Sequence, residues 1–263
     1  MSNLANDLDI ISSSEKYKNQ ISDKKLLNKK ELCSGIVLMA GGNGRRLAPL
    51  TNIRPKPLLK VGPRPIIDTT LKRFIDKGYS NFFISINHLG EMIEDYFKDG
   101  SKLGVKINYL KENAALGTAG SLSLLPFKPE KPIIVMNADI LTNLDFNCLI
   151  DQHIKSNSFI TVCVRQQSIQ VPYGVIEEKE LKLLNITEKP YYNVLINAGI
   201  YVLNPGVLKF IEPNTPFDMT DLIKLVNKKS MPVSINKING YWCDIGQKHD
   251  LEKANNEFSK YFG

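Results

Sequence analysis

From about residue 34 onward the apolar positions fall into short, regularly alternating segments. Gly35–Ala40 (GIVLMA) is an unbroken apolar run of strand length, the pattern of a strand buried on both faces. Ile66–Lys77 places apolar residues at 66, 67, 71, 74 and 75, a helical spacing, and Gly78 follows as a stop. The alternation then continues with a strand over Asn81–Asn87, a helix over Gly90–Phe97, a strand over Val105–Leu110 and a short helix over Thr118–Leu125. Pro132–Met136 is a further strand, running into Asn137-Ala138-Asp139. Such alternation predicts an α/β fold: a Rossmann-like, doubly wound, mostly parallel sheet with helices on both faces.

The second half has a different rhythm. Phe159–Arg165, Gly174–Glu178, Leu181–Ile186 and Val194–Val202 are strand-like with few helices between them. They predict a mixed or antiparallel extension that closes over one end of the parallel sheet. Phe217–Lys228 and Gln247–Tyr261 are helical in pattern, and Pro232–Ile238 is another strand. Residues 1–33 are polar, rich in Ser, Asn and Lys, and weakly periodic, which predicts an extension or linker with a short helix near Lys24–Leu32. Residues 34–263 are expected to form a single domain, and the short stretch after Trp242 leaves no room for an appended one.

Composition narrows the class without naming a function. At 263 residues, 43% hydrophobic and 23% charged, the chain is globular in character, which excludes wholesale disorder, collagen-like repeats and a disulfide mini-protein. No apolar run approaches the roughly 18–20 residues of a membrane span, and the N-terminus lacks the pattern of a secretory signal. Cys33, Cys148, Cys163 and Cys243 lie far apart without a CxxC pair, as expected of reduced thiols in a cytoplasm. His88, His153 and His249 show no metal-ligand spacing.

The net charge of +7 first points to nucleic acid. Its distribution changes that picture. Leu32–Ile67 contains no carboxylate yet carries Arg45, Arg46, Arg54, Lys56, Lys60 and Arg64, while the rest of the chain is nearly balanced. Localised charge predicts one focused anion site. No aromatic residue interleaves the basic ones between Cys33 and Arg73, against the stacking pattern of nucleic-acid surfaces.

The first strand runs directly into Gly41-Gly42-Asn43-Gly44-Arg45-Arg46-Leu47. Glycines allow a sharp turn and close backbone approach to a ligand, and successive N–H groups in such a turn form an anion-binding nest. Arginines add fixed positive charge and bidentate phosphate geometry. Arg54-Pro55-Lys56-Pro57 then holds a lysine in a proline-stiffened segment that can fold back to join Arg46 at a polyphosphate. The Walker pattern GxxxxGK[ST] is absent. The dinucleotide fingerprint fails too, because Leu47 stands where its third glycine belongs.

LMAGGNGRRLAPLT followed by RPKPLLKVGPRPII resembles the N-terminal signature of the sugar-1-phosphate nucleotidyltransferases, or nucleotide-sugar pyrophosphorylases. The resemblance continues through Leu116-Gly117-Thr118-Ala119-Gly120, Asn137-Ala138-Asp139, Tyr173-Gly174-Val175, Glu188-Lys189-Pro190, Asn197-Ala198-Gly199-Ile200-Tyr201 and Trp242-Cys243-Asp244-Ile245-Gly246. Two departures are Arg45, where the family commonly has Thr or Ser, and Ala138, where it usually has Gly. The family's reaction joins an NTP to a sugar 1-phosphate, giving an NDP-sugar and pyrophosphate.

The resemblance implies roles residue by residue. Ala40, Gly41, Gly42, Gly44 and Asn137 would hold the nucleotide, and Glu112, Leu116 and Gly117 would line the base pocket. Arg46, Lys56 and Lys189 would be the catalytic cations, Lys189 facing the sugar phosphate. Gly174, Glu188 and Asn197 would bind the sugar. Asp139 and Asp244 would hold Mg²⁺. By spacing alone each of these two aspartates is as readily a strand-end turn residue. Lys189 in isolation is a solvated turn lysine, Asn197 a satisfied amide, and Trp242 core packing more than a substrate platform.

The combination of PKP, LGTAG and NAGIYV is most similar to the guanylyltransferases acting on mannose-like or amino-sugar 1-phosphates. GTP is therefore the favoured nucleotide, with UTP, CTP or dTTP as alternatives, and bacterial surface-glycan or nonulosonate precursor synthesis the implied setting. Some such relatives carry a CBS-domain pair ahead of the catalytic domain, for which residues 1–33 are too short. Homodimers are common in the family. Expected partners are the two substrates, not nucleic acid or membrane. The competing reading of another class is a nucleotide-sugar-binding regulatory protein that has lost catalysis.

Overall fold

The computed structural model describes residues 32–263. In chain order it contains β1 (Gly35–Met39), β2 (Lys60–Val61), β3 (Arg64–Pro65), α1 (Ile66–Asp76), β4 (Asn81–Ile86), α2 (Gly90–Phe97), β5 (Lys106–Lys111) and α3 (Gly117–Gly120). There follow β6 (Ile133–Asn137), β7 (Ile140–Thr142), α4 (Phe146–Ser156), β8 (Ile160–Gln170), β9 (Val175–Lys179), β10 (Lys182–Thr187) and β11 (Tyr191–Leu203). The last elements are α5 (Met219–Lys228), β12 (Val233–Lys237), β13 (Trp242–Asp244) and α6 (Lys248–Phe262). The helix expected near Lys24–Leu32 falls, but for Leu32, outside the described residues.

The main sheet has seven strands in the order β12-β8-β11-β6-β1-β4-β5. β1 pairs in parallel with β4 and β6, and β4 with β5. β11 alone runs antiparallel, pairing with β6 on one side and β8 on the other. The fold is thus α/β with a mostly parallel, mixed sheet. β1 lies inside the sheet, which is why its sequence is apolar throughout. Ile36 and Leu38 face one core with Phe74, Met136 and Phe146, and Val37 faces the other with Phe83, Val135 and Leu222. Both cores are needed because a parallel sheet cannot leave a face in water.

One helix escaped the sequence pattern. α4 is capped by Asp145, whose carboxylate accepts the amides of Asn147 (2.9 Å) and Cys148 (3.1 Å). It buries Phe146, Leu149, Ile150 and His153 at helical spacing. Phe146 stacks on Phe74 of α1 with ring centroids 3.8 Å apart, an arrangement worth roughly 1 kcal/mol beyond area burial. The cap and the spacing are both legible in the sequence, and α4 adds a helix between Asp139 and Phe159, where none was expected.

His153 sits in this layer, 2% exposed, with Nδ1 2.8 Å from Thr161 Oγ1. Burial pulls its pKa from 6.5 down to about 4. Between those values the unfolded chain binds the extra proton, so stability present at neutral pH is lost as pH falls through this window. We expect the loss to reach about 2 kcal/mol at pH 5. Thermal melts of the wild type and His153→Asn from pH 7 to 4.5 check this, the variant showing the flatter slope.

Candidate active site

The glycine loop leaves the C-terminal end of β1, and the matching ends of the parallel strands define the ligand edge of such a sheet. Gly44 adopts φ +61, and a Cβ there would lie 2.9 Å from Thr51 Cγ2, so both conformation and space call for glycine. Thr51 Oγ1 donates to Gly44 C=O at 2.9 Å and fixes the turn. The loop opens on a cleft of about 510 Å³ lined by Ala40, Gly42, Gly44, Arg46, Lys56 and Asp139, together with Met39, Asn43, Arg45, Pro57 and Gly246. The sequence marks Arg45 both as a departure from the family pattern and as one of the clustered cations. Its presence in this wall adds a third cation.

Asp139 follows β6, and the register shows how Asp244 reaches it. Asp244 is the last residue of β13, not a residue beyond the final strand as the sequence pattern implied. β13 pairs antiparallel with β7, setting Asp244 opposite Ile140, next to Asp139, and Ile245 N–H donates to Asp139 C=O at 3.1 Å. Lys56 Nζ lies between the carboxylates, donating to Asp139 Oδ2 and standing 3.7 Å from Asp244 Oδ1. Burial raises the Asp244 pKa, the neighbouring Asp139 charge raises it further, and Lys56 and Arg46 oppose the rise.

Asp139 Oδ1 and Asp244 Oδ1 are both buried and accept no hydrogen bond. Buried polar atoms without a hydrogen-bond partner are costly, and carboxylate oxygens of this kind are donors suited to a hard divalent cation. No cluster of three or more His, Cys, Asp or Glu side chains suited to a metal occurs among the described residues. The pair would therefore hold Mg²⁺ together with phosphate oxygens, its usual mode.

A small apolar cluster anchors these parts. Leu47, Leu141, Cys243 and Ile245 pack with Ala254 and Phe258 of α6. Leu47 follows Arg46, Leu141 lies two residues after Asp139, and Cys243 and Ile245 flank Asp244, so the cluster ties these three candidate segments to one another. Trp242 packs against a different core and donates its indole N–H to Ala198 C=O at 2.9 Å, a structural role. The Ala138 methyl is fully buried in that core, so this departure adds no bulk to the cleft.

The remaining nucleotide candidates, Gly41, Glu112, Leu116, Gly117 and Asn137, are not among the residues lining that cleft, and of them Glu112 lies against Gly41. Glu112 accepts from Ser85 Oγ through Oε1 and from Leu116 N–H at 2.9 Å through Oε2. A Cβ on Gly41 would lie 2.8 Å from Glu112 Oε1 and would push the Glu112 carboxylate aside. The Leu116 side chain is buried, and its C=O accepts from Phe217 N–H at 2.8 Å. Gly117, at φ +75, packs against Phe217 and Asp218. Asn137 ends β6 opposite Met39 and lies beside Gly199.

The sugar candidates form a second group. Gly174 sits beside the Glu188 carboxylate, Glu188 and Lys189 pair at 3.9 Å, and both side chains are well exposed. Asn197 is a satisfied amide: its Nδ2 donates to Tyr201 Oη at 2.7 Å and its Oδ1 accepts from Gly199 N–H at 3.0 Å.

One expectation is corrected. The six cations of Leu32–Ile67 do not converge on a single site. Arg45, Arg46 and Lys56 line the cleft, whereas Arg54 and Lys60 line a separate cavity of about 530 Å³ with Leu58, Met92 and Tyr96. Neighbouring positions on a folded-back loop point to opposite sides, which a count of charge along the chain does not register.

All four cysteines are free, and burial pushes the Cys33 and Cys243 thiols up to about 11 and Cys163 to about 12, leaving them unreactive. No helix among the described residues is long and apolar enough to cross a membrane.

Known proteins place this geometry. A mannose-1-phosphate guanyltransferase from Yarrowia lipolytica is 34% identical over 224 residues, covering 82% of this chain and 61% of that protein. A UTP–glucose-1-phosphate uridylyltransferase from Synechocystis is 29% identical, covering 83% and 61%. The chain thus spans about three fifths of the length of these curated relatives. Among solved structures, a Bacillus anthracis protein described as a glucose-1-phosphate thymidylyltransferase, in complex with sucrose, superposes with a TM-score of 0.69 at 25% identity, covering 85% of this chain and 94% of that one. Residues 35–260 match the family model named Nucleotidyl transferase, and the chain belongs to that family.

Proposed function

We propose that this chain transfers a nucleotidyl group from an NTP, with GTP favoured, to a mannose-like or amino-sugar 1-phosphate in the cytoplasm. An oxygen of the sugar phosphate attacks the α-phosphorus, the bond from the α-phosphorus to the bridging oxygen breaks, and pyrophosphate leaves. The observation that carries this reading is the cleft itself, where Arg45, Arg46 and Lys56 line the wall with Asp139, Lys56 also reaches Asp244, and each aspartate keeps a buried oxygen without a hydrogen bond.

The chemistry asks for charge neutralisation more than proton transfer. A sugar phosphate has its second pKa near 6 and is mostly dianionic at neutral pH, so it needs no general base. The barrier is the approach of one anion to another, met by positioning and fixed positive charge. Arg46 and Lys56 hold the triphosphate and the departing pyrophosphate, and the loop amides from Gly41 to Gly44 cradle it. Lys189 offers a cation to the sugar phosphate, and Glu188, Asn197 and the Gly174 backbone meet the sugar hydroxyls. Mg²⁺ on Asp139 and Asp244 supplies further neutralisation of phosphate charge when bound.

The base preference is supported by Glu112. An ionised carboxylate only accepts hydrogen bonds, and guanine presents two adjacent N–H groups, N1–H and the 2-amino group, on its Watson–Crick edge. Relatives named guanylyltransferases and a relative named a uridylyltransferase both match, so the comparisons leave the base open. Thermal shift with GTP, UTP, CTP and dTTP plus Mg²⁺ tests it, GTP giving the largest rise. Glu112→Gln is expected to weaken GTP about tenfold relative to UTP, a loss of about 1.4 kcal/mol. A uniform loss for all four nucleotides would confine Glu112 to holding the loop. No pyrophosphate release from any NTP across a sugar 1-phosphate panel would leave a binding protein in place of an enzyme.

A further inference from the structure

Residues 215–219 are laced to residues 116–120, a segment 100 positions away in the chain. Leu116 C=O accepts from Phe217 N–H at 2.8 Å, and Phe217 C=O accepts from the Ala119 and Gly120 amides, each at 2.9 Å. Two side chains complete the seam by exchanging caps. Asp218 stands at the N-cap of α5, yet its side chain accepts nothing from that helix. Asp218 Oδ1 turns instead to Thr118, accepting from its N–H at 3.0 Å and from its Oγ1 at 3.2 Å. Thr118 Oγ1 in turn accepts from Met219 N–H at 2.8 Å, so Thr118 supplies the cap that Asp218 withholds from α5.

The seam also accounts for the glycines of the Leu116–Gly120 motif. A Cβ on Gly117, at φ +75, would lie 2.8 Å from the Phe217 carbonyl oxygen. One on Gly120 would lie 2.6 Å from the Thr215 carbonyl oxygen. The Cβ side of both glycines is filled by backbone of the 215–219 segment.

We propose that Asp218 is a positioning residue for nucleotide recognition, acting through Thr118 and Leu116 on Glu112. The proposal rests on the reading of Glu112 as the group that meets the base. The path is short. Asp218 holds Thr118, Phe217 holds Leu116, and Leu116 N–H donates to Glu112 Oε2 at 2.9 Å. The other carboxylate oxygen is held by Ser85, which is fully buried in β4. One side of Glu112 is thus anchored in the core, and the other hangs on an exposed seam. Bonds to an ionised acceptor are the stronger class, and Asp218 offers one oxygen to two donors of the same residue. Thr118 cannot turn without giving up both of these bonds and the α5 cap. Removing the carboxylate leaves the backbone bonds to Phe217 but frees Thr118, and with it the amide that aims Glu112.

Thermal-shift titrations of the full chain with Mg²⁺ and GTP, UTP, CTP, dTTP or inorganic tripolyphosphate test this. Tripolyphosphate can meet the glycine loop, Arg46 and Lys56, but it carries no base to reach Glu112. Asp218→Ala is expected to weaken the best-bound NTP about tenfold while leaving tripolyphosphate unchanged. Asp218 is exposed, so its truncation opens no cavity. Asp218→Asn keeps an oxygen acceptor in place and restores most of the affinity. Thr118→Val weakens the same NTP, and the double variant loses less than the sum of the two single losses, because both act through one contact. An Asp218→Ala variant that binds NTP as the wild type does overturns the proposal. So does one that loses NTP and tripolyphosphate equally, because Asp218 would then only brace the fold. A wild type that binds no NTP more tightly than tripolyphosphate overturns the reading of Glu112 itself, and the proposal with it.

Discussion

Asp139→Asn is expected to lower kcat/KM for nucleotidyl transfer about 10³-fold, a loss of about 4 kcal/mol of transition-state stabilisation. The substitution keeps the side-chain volume but removes the charge facing Lys56 and one of the two orphaned oxygens. The cost to the fold is smaller. Breaking a fully buried ion pair costs about 3–5 kcal/mol, but Asp139 is about a quarter exposed and Lys56 retains Asp244 at 3.7 Å. We expect a loss of about 1–2 kcal/mol, a thermal midpoint lower by only a few degrees. Pyrophosphate release with GTP and mannose 1-phosphate, set beside a thermal melt, separates the two effects. Near-normal kcat/KM would remove Asp139 from the site.

Lys56→Met carries the opposite sign toward cations. In the structure the ammonium neutralises two carboxylates that would otherwise repel across a partly buried gap. Without it, only Arg46 is left to oppose the repulsion between Asp139 and Asp244, and the Asp244 carboxyl, already raised by burial and by Asp139, rises further. The variant is expected to melt below the wild type in EDTA and to gain more thermal stability from millimolar Mg²⁺ than the wild type does, while kcat/KM falls about 10²–10³-fold. Equal Mg²⁺ responses in the two proteins would show that Lys56 does not hold the carboxylates together.

The legible part of the molecule was the part written in local pattern. β1 and its glycine loop announced themselves because a strand buried on both faces must be apolar throughout, and the turn that follows needs residues without a Cβ. The pairing of Asp139 with Asp244 was not legible from periodicity. It rests on β7 and β13, two strands of three residues each, too short to show a period. The quoted motifs named both aspartates, while their spacing left them as turn residues. α4, with its Asp145 cap and helical stripe of Phe146, Leu149, Ile150 and His153, is written in the same kind of local pattern. The split of the basic cluster between two cavities lay beyond reach for another reason, since linear charge density says nothing about which side of a folded loop each side chain takes.

The small cluster of Leu47, Leu141, Cys243, Ile245, Ala254 and Phe258 sets how the protein comes apart. The seven-stranded sheet rests on two large cores, and Asp139 sits between Ala138 and Ile140 of the first, but Leu47 after the arginines and Cys243 and Ile245 beside Asp244 pack into this third, smaller one. Regions with few buried contacts open at lower free energy than the molecule as a whole. The arginine loop and Asp244 can therefore open while the sheet and Asp139 stay intact, and a nucleotide bound at the proposed site would work against that local opening rather than against global unfolding. Substitutions in this cluster, remote from any substrate, would surface as lost affinity in a protein that still melts at nearly its normal temperature.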